Sequence, residues 1–230
     1  MSNFNQTQGS ANSTKVTYAK LTSGVPFQCR VVGNVLRRYQ YWIKNAAGKN
    51  MPFENLAFNR DTEKFDSGEG DPIREAGLTE ISSYTKKVEP IKSKRAYAIM
   101  VLNRATNQYE CLDLKKDIFD GMISYMQDSD ISDVESVEWV IMKSGATWND
   151  TKYVLDVLKT QKANKDQAAV VAQHEADKEI LATVKPIEEL FLREKYDAQK
   201  QRLAKHLAGT AEPSASDSSS EEEDVNDLDD

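Results

Sequence analysis

Cysteine and histidine are nearly missing from this chain: Cys29, Cys111, His174 and His206 are the only ones among 230 residues. Two cysteines build no disulfide framework, and the four residues together all but exclude a four-ligand zinc site of the usual kind, so a reducing cytoplasm is the expected setting and no metal or cofactor is expected. Long apolar runs are missing too, none approaching the ~18 residues of a membrane span. Residues 1–14 are polar and uncharged and lack the basic, apolar and cleavage segments of a signal peptide, so the chain is expected to be soluble and to stay where it is made. Catalytic constellations are equally scarce. Both histidines fall in the helical C-terminal part, away from every strand end, which leaves a Ser-His-Asp or Cys-His arrangement without a base. The stretch Gly68-Glu69-Gly70-Asp71-Pro72 lacks the Gly-Lys-Ser/Thr ending of a phosphate loop and follows no strand. Asp61, Glu63, Asp66, Glu69 and Asp71 read as a solvated acidic loop, without the glycine of an EF-hand, and Asp128, Asp130, Asp133 and Glu135 read the same way. The chain is expected not to be an enzyme.

What is present is unevenly distributed. The net charge is −7, yet residues 211–230 carry nine acidic groups and no basic one, which leaves 30 basic against 28 acidic residues in 1–210, a net of +2. The acidity belongs to the tail, and the body is near neutral with local basic clusters.

Along the chain, 1–14 is Ser/Asn/Gln-rich with one aromatic, Phe4, and reads as a disordered arm. Val25, Phe27, Cys29 and Val31 alternate with polar or less apolar positions, a strand period; Gly33-Asn34 reads as a turn and Val35 to Lys44 as the next strand. Residues 45–83, broken by Gly48, Pro52, Gly68, Gly70, Pro72 and Gly77, read as an irregular insertion. A basic entry of Lys86, Lys87, Lys92, Lys94 and Arg95 leads into the strand Ala96-Tyr97-Ala98-Ile99-Met100-Val101-Leu102, and residues 103–107 turn it back into Gln108-Tyr109-Glu110-Cys111-Leu112. Residues 115–127 place Ile118, Phe119, Met122, Ile123 and Met126 on one helical stripe. A second hairpin pairs 137–143 with 152–158 through Ser144-Gly145 and Trp148-Asn149-Asp150. From 161 to 208 the signal is helical, interrupted at Pro186, whose followers Glu188 and Glu189 suit a new first turn. Residues 209–230 are Ser/Asp/Glu-rich and read as disordered.

The expected fold is therefore mainly β with α. An OB-fold-like core of five to seven strands spans 15–160, including the 45–83 insertion and a short helix after the central hairpin; two helices follow over 161–208, then the acidic tail over 209–230. Aromatics are favoured in strands in any case. Here, however, Tyr39, Tyr41, Tyr97 and Tyr109 coincide with Arg37, Arg38, Lys92, Lys94, Arg95 and Lys152 on or beside the same strands. Cations that reach phosphates next to rings on which bases stack suit single-stranded nucleic acid held without reading its sequence. A flexibly attached run of carboxylates competes with a polyanion for such a surface.

Three stretches resemble the core of the T-even-type phage single-stranded DNA-binding (helix-destabilising) proteins: Tyr97-Ala98-Ile99-Met100-Val101, Leu114-Lys115-Lys116-Asp117-Ile118-Phe119-Asp120, and the segment from Lys143-Ser144-Gly145 through Trp148-Asn149-Asp150 to Lys152-Tyr153. The resemblance spans roughly 86–158 and extends to the acidic, Ser-rich C-terminal part. It implies an OB-fold core with a basic cleft and Trp148 as a base-stacking ring. The family's zinc-ligating Cys/His cluster and its basic N-terminal motif have no counterpart here, so the resemblance is to a zinc-less variant. It implies binding of single-stranded DNA during phage replication, recombination and repair in the cytoplasm of an infected bacterial host, with self-association on DNA and no membrane. The tail residues Glu221, Glu222, Glu223, Asp224, Asp227, Leu228, Asp229 and Asp230 would recruit polymerase, helicase/primase and recombination proteins. The alternative is a phage interaction or scaffold protein that acts through its tail and C-terminal helices.

Overall fold

A computed structural model describes residues 16–66, 70–82, 84–127, 131, 133–145, 150–158 and 165–210; the expected arm over 1–14, Trp148 and the acidic tail over 211–230 lie outside the described residues. In chain order the strands before the first helix are β1 (Phe27–Leu36), β2 (Tyr39–Lys44), β3 (Asn50–Glu54), β4 (Phe58–Asn59) and β5 (Lys64–Phe65). Helix α1 (Pro72–Glu75) follows, then β6 (Thr79–Ile81), β7 (Val88–Pro90), β8 (Lys94–Arg95), β9 (Tyr97–Asn103) and β10 (Gln108–Leu114). The remainder is α2 (Lys116–Gln127), a 3-10 turn (Val134–Ser136), β11 (Glu138–Ser144), β12 (Lys152–Leu158), α3 (Lys165–Leu181), α4 (Ile187–Leu190) and α5 (Tyr196–Leu207). The fold is mainly β with helices, and no helix among the described residues is long and apolar enough to cross a membrane.

The main sheet has five antiparallel strands in the order β10-β9-β1-β11-β12, with β1 at its centre. Both expected hairpins are its flanks. Asn107 makes the first turn possible by adopting φ 55°, while its amide donates to the Asn103 carbonyl at 2.7 Å. Gly33-Asn34, expected as a turn, is instead an irregularity inside β1: the strand continues to Leu36, and its register with β9 shifts between Val32 and Leu36. Gly33 takes φ 75°, as the glycine of a bulge does, and its amide is satisfied by Glu135 at 2.8 Å.

Strand alternation puts Phe27, Cys29, Val31, Ile99, Val101, Trp139 and Ile141 on one face of the sheet, where Ile118 and Met122 of α2 close the main core. Trp139 is fully buried and its indole N–H donates to the Val134 carbonyl at 2.9 Å. Gly121, weak in a helix by propensity, has a packing reason: a Cβ there would stand 3.2 Å from the Leu155 side chain, so its absence lets α2 settle on β12. The opposite face, around Ala98, Met100 and Cys111, is covered by Val16 and by Ile187 and Phe191 at α4.

The described residues of 45–83 form more regular structure than their breakers suggested. Pro52 lies in β3, an edge strand that can spare an amide. Asp71-Pro72 starts α1, with the Asp71 carboxylate accepting from the amides of Ile73 at 2.9 Å and Arg74 at 3.1 Å. A third core gathers Tyr41, Ile43, Met51, Phe53, Ile73 and, from α5, Leu203. Among the described residues the C-terminal region forms three helical pieces where two helices were expected, because α4 begins just after Pro186 and ends within one turn, before α5 starts at Tyr196.

Helix α3 is fastened to the sheet by buried charges. Glu138, fully buried, takes a two-pronged pair from Arg104, which also donates to Asp177 at 2.7 and 2.8 Å; Arg30 reaches Asp177 at 3.0 Å and His174 lies 2.8 Å from Glu138. Removing Arg104 leaves Glu138 without its main counter-charge, so Arg104→Ala is expected to lower stability by about 3–5 kcal/mol in urea titrations. Burial alone would raise the Asp177 pKa, but hydrogen bonds from Arg104 and Arg30 outweigh it and hold the group below the usual aspartate value. Its stabilisation is thus complete above the ordinary pKa of about 4 and is lost as pH falls through the lower folded value. Asp177→Asn should accordingly flatten the fall of the urea midpoint between about pH 5 and 2. A Cβ on Gly145, at φ 95°, would meet the Asp150 carbonyl carbon at 2.6 Å, and Gly145→Ala is expected to cost about 1–3 kcal/mol in the same titration.

Candidate nucleic-acid interface

The residues singled out from sequence divide into three groups in space. Tyr39, Arg95 and Tyr97 come together. Tyr39 and Arg95 are direct partners across β2 and β8, so their side chains share a face, and the Arg95 guanidinium lies 5.8 Å from the centre of the Tyr97 ring. Tyr39 is flanked by Phe58 at 4.7 Å and Phe65 at 4.9 Å, and Tyr97 by Phe119 at 4.9 Å, each measured between ring centres. The result is a strip Phe65–Tyr39–Arg95–Tyr97–Phe119 with a cation at its centre. Phe65 is 54% exposed, and Tyr39, Tyr97 and Phe119 are half-buried, so the rings are held from behind and open in front. Arg37 stands beside the strip in an ion pair with Glu63, and Lys64 and Lys116 are exposed on the adjoining elements β5 and α2.

A second group is held by other contacts, Tyr41 and Arg38 buried and Tyr109 half-buried. Tyr41 is 4% exposed and its hydroxyl donates to Asp71 at 3.2 Å while accepting from Asn55 at 2.9 Å; burial first, then the Asp71 charge, raises its pKa. Tyr109 lies under α4 and donates to the Lys185 carbonyl at 3.2 Å, and burial pushes its phenol up to about 12. Arg38 is 6% exposed and packs 4.8 Å over the Phe191 ring. These three give no open face to the strip.

The remaining residues are apart from it. Lys92 is exposed at the base of the β6–β7 hairpin and pairs with Glu89 at 3.1 Å; Lys94 is half-buried beside Arg95 in β8. Lys152 is exposed on β12, and Trp148 lies outside the described residues. Sequence reading missed Phe58, Phe65 and Phe119 as partners of the tyrosines. It also missed the hairpin itself, which shows Tyr84, Ile81 and Val88 to solvent at 86%, 73% and 69% next to Lys86 and Lys87. The alternation of Thr79 to Ile81 against Val88 to Pro90 was the available signal.

One carboxylate-imidazole group, Glu138, His174 and Asp177, has three candidate metal-ligand atoms within 4.8 Å of one another. Arg104 and Arg30 already occupy those carboxylates, so a cation would have to displace buried guanidiniums.

Comparison with known proteins finds a probable ssDNA-binding protein of Escherichia phage T5, 34% identical over 152 residues. The match covers 65% of this chain and spans 58% of that protein's length. No family model and no solved structure matches.

Proposed function

We propose that this chain binds single-stranded DNA with little sequence preference. The carrying observation is the strip around Arg95, in which open aromatic rings alternate with a guanidinium at the spacing of neighbouring side chains on one surface. Bases of any identity have a π-face for Tyr39, Tyr97 and Phe65, and Arg95 and Arg37, with Lys64 and Lys116 on the adjoining elements, supply charge for the backbone. The similarity to the probable ssDNA-binding protein of phage T5 supports the same reading.

The strand order supports an OB-like core. If β1, β9, β10, β11 and β12 are the five strands of such a barrel, then α2 falls between the third and fourth. Residues 37–96 become the connection between the first two strands, and 145–151 the connection between the last two. In OB-folds those two connections and the face of the second and third strands bind oligonucleotides. Here the outer face of β9 and β10 is covered by α4, which moves the binding surface onto the 37–96 excursion and gives Trp148 and Lys152, at the start of β12, the second contact. In this reading the protein is a non-enzymatic, zinc-less relative of the T-even-type family that serves phage replication, recombination and repair in the host cytoplasm. Its acidic tail competes with DNA and engages polymerase, helicase/primase and recombination proteins.

Fluorescence anisotropy of labelled oligo-dT over a salt series tests this. Tight binding that weakens with salt is expected, and tighter binding by a chain ending at Gly209. Tyr39→Ala and Tyr97→Ala should each cost about 1–3 kcal/mol of affinity. Binding that ignores both substitutions would remove the strip as the site, and no binding at any salt concentration would remove the function.

A further inference from the structure

The excursion and the C-terminal segment enclose a second concave site. Gln40 faces away from Tyr39 by strand alternation, and with Arg38 it walls a cavity of about 330 Å³ closed by β3, residues 191–195 and α5. Five cations line it, Arg38, Arg60, Arg193, Lys195 and Arg202, against two carboxylates, Glu54 and Glu194, an excess of three positive charges.

The carboxylates are committed. Glu54 is held by both prongs of Arg60, which also donates to the Phe191 carbonyl at 2.8 Å, and Glu194 is held by Arg202, which also donates to the Pro52 carbonyl at 3.2 Å. Arg38 is in a different state. It is 6% exposed, one face of its guanidinium rests on Phe191, and its Nε has no hydrogen-bond partner among the described residues. Asp113 lies within electrostatic range of that charge. Keeping that cation buried costs desolvation, which an anion in the adjoining cavity would offset through its charge.

We propose that this cavity binds a phosphate group. A tetrahedral phosphate offers oxygens in several directions and suits a wall on which Arg38, just before β2, and Lys195, at the start of α5, stand on different sides, while the engaged guanidiniums of Arg60, Arg193 and Arg202 add positive field. The volume exceeds that of the anion alone and leaves room for an attached sugar. The phosphate is either an internal phosphodiester of a bound strand, which rests on the function proposed above, or that of a free nucleotide or inorganic phosphate, which does not.

Two measurements on the full chain separate these sources. In thermal unfolding, inorganic phosphate or thymidine monophosphate should raise Tm where sodium chloride at the same ionic strength does not, and Arg38→Gln should abolish the rise. Because Arg38 is buried, Lys195→Gln at the exposed rim is the second variant and should weaken the same effect without touching the packed interior. In the oligo-dT salt series, a slope reduced by about one in Lys195→Gln assigns the site to a phosphodiester of the strand. An unchanged slope with the Tm effect weakened assigns it to a free phosphate ligand. If oligo-dT does not bind at all, the strand reading fails while a phosphate-specific Tm rise still upholds the cavity. The proposal is overturned if phosphate and thymidine monophosphate give no more than chloride and both variants keep the wild-type slope. It is also overturned if a peptide of residues 211–230 alone produces the Arg38-dependent rise, since the pocket would then belong to polypeptide carboxylates.

Discussion

A fully buried carboxylate in the middle of a sheet must be neutralised, and Glu138 sets that demand on this fold. The answer comes from Arg104, at the turn between β9 and β10, and is completed through Asp177 of α3, so one charge group ties two strand hairpins and a helix together. Two arginines face two carboxylates, with His174 against Glu138, and each oxygen that would otherwise be stranded finds a donor. Such a group adds little by attraction alone, because desolvation offsets most of the Coulomb gain. What it adds is geometry: Asp177 and His174 fix α3 to the β9–β10 turn and to β11, and α4 and α5 then pack through contacts of their own.

Those contacts reach the candidate interface. From α4, Ile187 and Phe191 cover the outer face of the main sheet, while from α5, Leu203 enters the core of the excursion. Buried polar contacts reinforce this bridge: Gln199 donates to the Glu54 carbonyl at 2.8 Å and His206 Nε2 to the Ile43 carbonyl at 2.8 Å. Two- and three-residue strands such as β4, β5 and β8 are marginal in isolation. They are held through β2: Phe58 and Phe65 pack on the Tyr39 ring, Arg95 pairs with Tyr39, and Leu203 of α5 enters the core that buries Tyr41 and Ile43 of the same strand. The C-terminal helices thereby have a physical role, as a brace between the two parts of the surface.

The sequence displayed the parts of this fold in which periodicity and turn chemistry coincide. The β9–β10 and β11–β12 hairpins and α2 are local structures whose apolar spacing and turn residues are contiguous, and they stand where that spacing puts them. Gly33 misled because a positive φ serves a bulge as well as a turn, and only the pairing of Leu36 with Ala98 distinguishes the two. Residues 45–83 read as irregular because their order is borrowed: Ile73 and Phe53 are buried against α5, more than a hundred residues later, and no local pattern encodes that.

The same limit governs the site. Tyr39 and Tyr41 are two residues apart on one strand and look alike in sequence, yet one is half-open beside Phe65 and the other is sealed by Asp71 and Asn55. Arg37 and Arg38 differ in the same way, one paired with Glu63 near the surface and the other buried on Phe191. Charge and aromatic content thus single out a strand, while which of its side chains stay open depends on the long-range partner that covers each one. A strand whose two faces meet different neighbours can present rings on one side, around Tyr39, and a cation-lined cavity on the other, around Gln40. β2 has that arrangement because the excursion folds against the C-terminal brace rather than against the main sheet alone.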